Sequence, residues 1–367
     1  MSVIFHIDVN SAFLSWSAVE ELKKGSTIDL REVPSIVGGD QKSRHGVVLA
    51  KSTPAKKYGI RTGEPVANAF RKCPKLLMVK PEHGVYSRYS RELMAYLETI
   101  SPLIQQMSVD ECYLDMTAVL SDYESPEAAA QMIRREVKER FGFTVNVGIS
   151  TRKILAKMAS DFTKPDRTHT LFPEEIEEKM WPLPVEELYM VGQSSVKILK
   201  NLEINTIGDL AKTDIGILEL HLKKHGRKMW EYANGYDESK VKRERREAKN
   251  VGNSTTLSAD AVTLDEIQGI LAKLAAKVAT RLQKKGQKAG NISVEIRYHD
   301  FTNVSHQRQL ESHTSEAGEI YQVAAELFER IWDKEPVRLL GIRTSKLVDA
   351  SEPEQLTLGL EKGNDIG

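Results

Sequence analysis

Carboxylates set inside two apolar segments constrain this chain more than any other feature of its sequence. Residues 3–9, VIFHIDV, read as a buried strand that ends on Asp8, and residues 102–116, PLIQQMSVDECYLDM, carry Asp110 and Glu111 in their middle. Adjacent residues on a flat strand face opposite ways, so Asp110 and Glu111 can serve one site only if the chain turns between Ser108 and Glu111. A hairpin is therefore predicted there.

The surrounding pattern fills in a mixed α/β (α+β) domain. NSAFLSWSAVEEL spaces Phe13, Trp16, Val19 and Leu22 as one face of a helix. Ser125-Pro126 opens another helix, with serine at its cap and proline in its first turn, and Gly142 closes it. The strand FTVNVGIS and a helix near RKILAKMASDF follow, gathering the acids at one sheet edge. From about Leu171 the texture changes to short helices and tight turns without strand-like alternation, which predicts a small helical domain. SKVKRERREAKN (239–250) is charged enough to be an exposed linker. Beyond it, NVGNSTTLS, DEIQGILAKLAAKVATRLQKKG, NISVEIRYHDF, HQRQLES, SEAGEIYQVAAELFERIW and VRLLGIRTSKL give the order βαββαβ, a compact two-layer domain. The acidic tail from Val348 is expected to be disordered until bound.

Composition excludes several classes. With 367 residues, two to four modules are expected. No apolar run approaches the roughly 18 residues that span a bilayer, and the N-terminus lacks the basic region and cleavage site of a signal peptide, so no membrane and a cytoplasmic location are expected. Cys73 and Cys112 are the two cysteines, too few for a disulfide framework or a cysteine zinc site. The net charge of zero hides basic stretches at 1–172 and 241–347 that alternate with acidic ones. Those stretches fit a DNA footprint and solvated faces of mixed sign equally.

Three carboxylates from two neighbouring strand ends form a hard-oxygen site suited to Mg²⁺. Two such ions, about 3.5 to 4 Å apart, can stabilise the attacking and leaving oxygens of an in-line phosphoryl displacement. That chemistry needs positioning and charge neutralisation rather than a protein nucleophile. By spacing alone, Asp8 could equally end its strand as a cap and Asp110 and Glu111 could be turn residues.

HIDVNSAF together with SVDECYLD closely resembles the paired acidic motifs of Y-family DNA polymerases, the translesion enzymes, and of their bacterial branch in particular. The resemblance continues in order through VGGDQKSRHGVVLAKSTPAKKYGIRTGEPV, GISTRKILAKMASDFTKPD and MVGQSS, and covers nearly the whole chain. It implies a right hand: a palm at 1–11 and 83–171, fingers at 12–82, a helical thumb at 172–240, a basic linker at 241–250 and a DNA-gripping βαββαβ little finger at 251–347. A flexible tail follows at 348–367, and no length remains for a proofreading exonuclease.

Position by position, the resemblance makes Asp8, Asp110 and Glu111 the metal ligands for two Mg²⁺ ions, with the carbonyl of Val9 as a backbone ligand. Phe13 becomes the aromatic steric gate against the sugar of the incoming deoxynucleoside triphosphate. Thr53 and Lys56 fall where tyrosine and arginine commonly contact the triphosphate, and lysine supplies charge but no bidentate fork. Lys164 matches a palm lysine that reaches the phosphates. Asn10 stands where many relatives have an acid. LYMVGQSSVKILKNL resembles a helix-hairpin-helix whose turn, at Gly192, Ser194 and Ser195, would present N–H groups to a DNA phosphate; Ser194 replaces a common second glycine. QLTLGL resembles a sliding-clamp docking peptide anchored by Gln355, Leu358 and Leu360. The implied partners are primer–template DNA, nucleotides and the clamp, and the implied state is a monomer. A nucleotidyl cyclase with the same acids, or a catalytically silent DNA-binding adaptor, are the alternatives.

Overall fold

The computed structural model describes residues 2–39, 46–243 and 248–351. Two units make up the chain, one running to Arg245 and the other from Arg246.

In the first unit the elements run β1 (Ile4–Val9), α1 (Ala12–Lys23), β2 (Ser35–Gly38), β3 (Val48–Lys51), α2 (Thr53–Lys56), α3 (Val66–Lys72), β4 (Leu77–Val79) and α4 (His83–Ile100). They continue with β5 (Ile104–Gln106), β6 (Glu111–Asp115), α5 (Pro126–Phe141), β7 (Val145–Ser150), α6 (Lys153–Asp161) and β8 (Thr168–Thr170). Five strands join in the order β5-β6-β1-β7-β8, with β1 central and antiparallel to both neighbours. The alternation of β1 divides its side chains between two layers. Phe5, Ile7 and Val9 enter a core with Trp16, Tyr89, Leu93 and Phe143, each large apolar group there contributing roughly 2 kcal/mol by its burial. Ile4 instead packs with Tyr113 and Ala156, on the side covered by α6. The predicted hairpin is present as β5 and β6. Helix α5 begins as its sequence predicts, the Ser125 side chain accepting from the Ala128 N–H at 3.0 Å, and ends on Gly142 at φ 77°.

Glycine is required at 148. A Cβ there would lie 2.0 Å from the carbonyl oxygen of Ala156 and 2.4 Å from the nitrogen of Ser160. The missing side chain lets α6 rest directly on β7. Separately, β2, β3 and β4 form a small sheet in the order β3-β2-β4 around Ile36, Val48, Ile60 and Val66.

Residues 171–240 are helical, as their texture predicts. Single turns lead into α7 (Gln193–Asn201), α8 (Ile207–Lys212), α9 (Ile215–Leu222) and α10 (Lys224–Ala233). Their core of Met180, Leu199, Ile207, Leu210 and Met229 also takes in Ile154, Leu155 and Met158 of α6, so one helix serves two layers. The expected exposed linker is corrected over its first residues. Val241 is buried with Ile4, Tyr113 and Ala156, and Arg243 pairs with Glu98 at 2.6 Å, because a lone apolar residue among the charges gives the segment something to bury. Its last residue, Asn250, already belongs to a strand.

The second unit is the expected βαββαβ arrangement: β9 (Asn250–Ala261), α11 (Leu264–Lys284), β10 (Gln287–Tyr298), β11 (Asn303–Thr314), α12 (Ala317–Ile331) and β12 (Val337–Asp349). Its antiparallel sheet has the order β11-β10-β12-β9. Ile292, Val294, Ile296 and Tyr298 point into a core with Leu271, Val278, Leu327 and Phe328. The opposite face is a polar concavity of about 640 Å³ lined by residues such as Asn253, Ser293, Asn303 and Arg343. Strand β12 extends to Asp349, so the boundary expected at Val348 moves two residues on. Among the described residues no helix is long and apolar enough to cross a membrane.

Candidate active site

The two acid-bearing segments meet in register. Asp8 stands directly opposite Glu111 on the β1–β6 ladder, and the N–H of Val9 donates to the carbonyl of Asp110 at 3.0 Å. Ser108 shapes the turn before β6: its hydroxyl donates to Asp110 Oδ1 at 2.5 Å and accepts from the N–H groups of Asp110 and Glu111, each at 3.2 Å. Burial raises the pKa of Asp110, and the nearby charges of Asp8 and Glu111 raise it further against the Ser108 hydrogen bond. The three sequence-predicted acids therefore feel one another.

Two lysines answer that charge, and one of them, Lys157 on α6, escaped the sequence reading. Its Nζ lies 3.0 Å from Glu111 Oε2, 3.2 Å from Asp161 Oδ2 and 3.5 Å from Asp8 Oδ2. Burial opposes its charge, but Asp161, Asp8 and Glu111 together hold its pKa above the ordinary value. Helical spacing offered a signal, since Lys157 shares an (i, i+4) face with Asp161. Lys164, which the resemblance singled out, does reach the acids, 3.1 Å from Asp8 Oδ1 and 2.9 Å from Asp161 Oδ1. His6 completes the row on β1. Its Nδ1 is 2.8 Å from Ser160 Oγ, while Nε2 faces Glu111 Oε2 at 3.4 Å. Burial lowers the pKa of His6, whereas the contact with His6, joined by Lys157, holds Glu111 at about 2 against the cost of burial.

Phe13 lies beside these acids. Its ring stacks on Tyr86 at 4.6 Å and 11°, and Tyr86 is itself fixed by a 2.8 Å hydrogen bond with Ser17. Phe13 lines a cavity of about 280 Å³ with Asp8, Val9, Ser11, Lys51, Thr62 and Asp110. Lys51 is a second cation missed in the sequence. Its ammonium donates to Thr62 Oγ1 at 3.3 Å, and its pKa is lowered by burial first and then by Lys56. Thr53 lines a neighbouring cavity of about 650 Å³ with Ser11, Ser52, Pro165 and Asp166. Lys56, at the exposed end of α2, lines neither.

In the helical region Gly192 is the N-cap of α7, and Gly192 and Ser194 are exposed. Ser195 is buried at 5% exposure in the first turn of α7. What remains there to meet a phosphate is backbone N–H, which the first turn of a helix leaves without an intrahelical partner. Gln355, Leu358 and Leu360 lie outside the described residues.

Among the described residues no three acidic, histidine or cysteine side chains are gathered as a metal cluster, because ammonium groups stand against Asp8 and Glu111 and Asp110 turns to Ser108. The donor set nonetheless fits a divalent cation. Three carboxylates in one row, where burial and then the neighbouring charges raise Asp110, with two lysines set against them as counter-charge, form a place made for positive charge.

Residues 7–161 match the impB/mucB/samB family, and residues 248–358 match that family's C-terminal domain. A DNA polymerase IV of Clostridium acetobutylicum is 50% identical over 349 residues, spanning 95% of this chain and 88% of that protein. A DNA polymerase IV of Acetivibrio thermocellus is 36% identical over 359 residues, spanning 97% of this chain and 88% of the relative. In fold, the chain is similar to a solved Y-family DNA polymerase chimera of Dbh and Dpo4. The TM-score is 0.83 at 22% identity, covering 94% of this chain and 99% of the chimera.

Proposed function

This chain belongs to the Y family of DNA polymerases, and from that premise we propose that Asp8, Asp110 and Glu111, with the backbone carbonyl of Val9, hold two Mg²⁺ ions for nucleotidyl transfer. The protein is a template-directed translesion DNA polymerase of the palm, fingers, thumb and little-finger architecture, dependent on a divalent metal and acting on DNA and deoxynucleoside triphosphates. One observation carries the site assignment: Asp8 and Glu111 face each other across one ladder with Asp110 on the adjoining turn. Bound divalent ions would supply charge neutralisation of the triphosphate and acidification of the primer 3′-hydroxyl.

The chain's own groups take the remaining tasks. Phe13, held flat by Tyr86, closes the sugar side of the cavity so that a ribose 2′-hydroxyl finds no room. Lys164, which pairs with Asp8 and Asp161, would offer its ammonium to the triphosphate, and Thr53 would contact it from the cavity it lines with Pro165 and Asp166. Lys56 supplies longer-range charge from the end of α2. The five-stranded sheet with α4, α5 and α6 serves as palm, and residues 12–82, with α1 and the small sheet, serve as fingers. The α7 N-terminus at Gly192 and Ser194, with the Ser195 N–H, contacts a DNA phosphate irrespective of sequence. The polar face of the second unit grips the duplex. Gln355, Leu358 and Leu360 dock on a sliding clamp, a reading supported by apolar residues set in an acidic stretch. The protein acts as a monomer in the cytoplasm, where its substrates are. Primer extension by wild type and Asp110→Ala tests the site: extension by the variant at the wild-type rate removes these acids from the chemistry.

A further inference from the structure

The segment carrying Lys164 is tied to the strand end carrying Asp8 by a buried pair of amides. Asn146 stands opposite Asp8 in the β1–β7 register and is fully buried. Its Nδ2 donates to the carbonyls of Ser160 at 3.0 Å and Thr163 at 2.7 Å. A flipped amide would turn its oxygen toward both carbonyls, so this orientation is fixed and Oδ1 must accept. Oδ1 accepts from the Arg167 N–H at 3.2 Å and from Asn10 Nδ2 at 3.0 Å. Asn10 is thereby oriented in turn. Its Oδ1 accepts from Thr144 Oγ1 and from the Asp166 N–H, both at 2.9 Å. The two amides therefore hold the carbonyls or N–H groups of residues 160, 163, 166 and 167, on both sides of Lys164.

We infer that Asn10 and Asn146 are positioning residues for nucleotide binding, acting through Lys164. The inference rests on the reading of Lys164 as a phosphate ligand. Asn10 must donate and accept at once, which a carboxylate cannot do. Asn10→Asp would set an acceptor against Asn146 Oδ1 and loosen the loop, and Asn146→Ala would release residues 160, 163 and 167 together. The clamp is thus a matched pair rather than two independent contacts.

The test is steady-state primer extension with Mg²⁺ on the full chain, comparing Asn10→Asp, Asn146→Ala and Lys164→Met. Asn10→Asp and Asn146→Ala are each expected to raise the deoxynucleotide KM about tenfold with kcat changed far less. A merely structural role would lower the active fraction and kcat while leaving KM in place. A folded Asn10→Asp or Asn146→Ala with wild-type KM overturns the inference. If Lys164→Met raises KM while Asn10→Asp does not, the clamp fails and the phosphate role of Lys164 stands. If Lys164→Met leaves KM unchanged, that role falls and the inference falls with it. Amide hydrogen exchange on the wild type guards against misfolded variants: the N–H groups of Asp166 and Arg167 should be protected like those of a strand, and exchange at the rate of free chain contradicts the clamp.

Discussion

Lys157 Nζ lies 3.0 Å from Glu111 Oε2, bringing a helix and a strand end together across the acid row. With His6 as the largest cause, this neighbourhood holds Glu111 at about 2, below its ordinary value near 4.5. A depressed carboxyl pKa contributes stability that is complete above the unfolded value and is lost as pH falls through the folded one. The urea-unfolding free energy of wild type relative to Glu111→Gln should therefore shrink as pH is lowered from about 5 toward 2. A gap that stays constant across that window contradicts the reading of Glu111 as held ionised by its His6 and Lys157 contacts.

Asp110→Ala should reduce primer extension by on the order of 10³-fold, since charge neutralisation by a bound ion is worth several kcal/mol. DNA binding, read by fluorescence anisotropy, should remain near wild type. Extension within tenfold of wild type would place the chemistry elsewhere.

Phe13→Ala opens the sugar side of the cavity without touching an acid. The ratio of ribonucleotide to deoxynucleotide incorporation should rise by roughly 10- to 100-fold. An unchanged ratio in single-nucleotide extension would remove the gate assignment.

Gly148→Ala should destabilise the protein by roughly 3 kcal/mol, because a Cβ 2.0 Å from the Ala156 carbonyl forces α6 off the sheet. Chemical denaturation measures it, and a loss below half that figure would mean that α6 has room to retreat.

Deleting residues 355–360 should abolish stimulation by a sliding clamp and leave basal extension intact. Loss of basal extension would be inconsistent with a docking peptide.

The acid row was legible because two adjacent carboxylates in an apolar run forced a turn, and β5 and β6 supply it. Helix α5 was legible from both ends, through Ser125 and Gly142. Lys157 was not, although its helix was expected, because periodicity says that α6 exists but not that Gly148 lets it lie close enough for an ammonium to reach β1 and β6. The same limit applies to Asn10. Its departure from the commoner acid was visible in the sequence, but its meaning depends on Asn146, which only strand register brings beside it. Val241 was read as part of a charged linker because composition averages over a segment, whereas docking depends on one side chain finding a hole.

Helix α6 presents Lys157 to the acids on one flank and sends Ile154, Leu155 and Met158 into the helical region on another. A helix is a stiff rod, so its two flanks cannot shift independently. Any displacement of the helical region is therefore levered onto the ammonium beside Glu111, so that packing there and the charge balance of the acid row are geared to a single shaft.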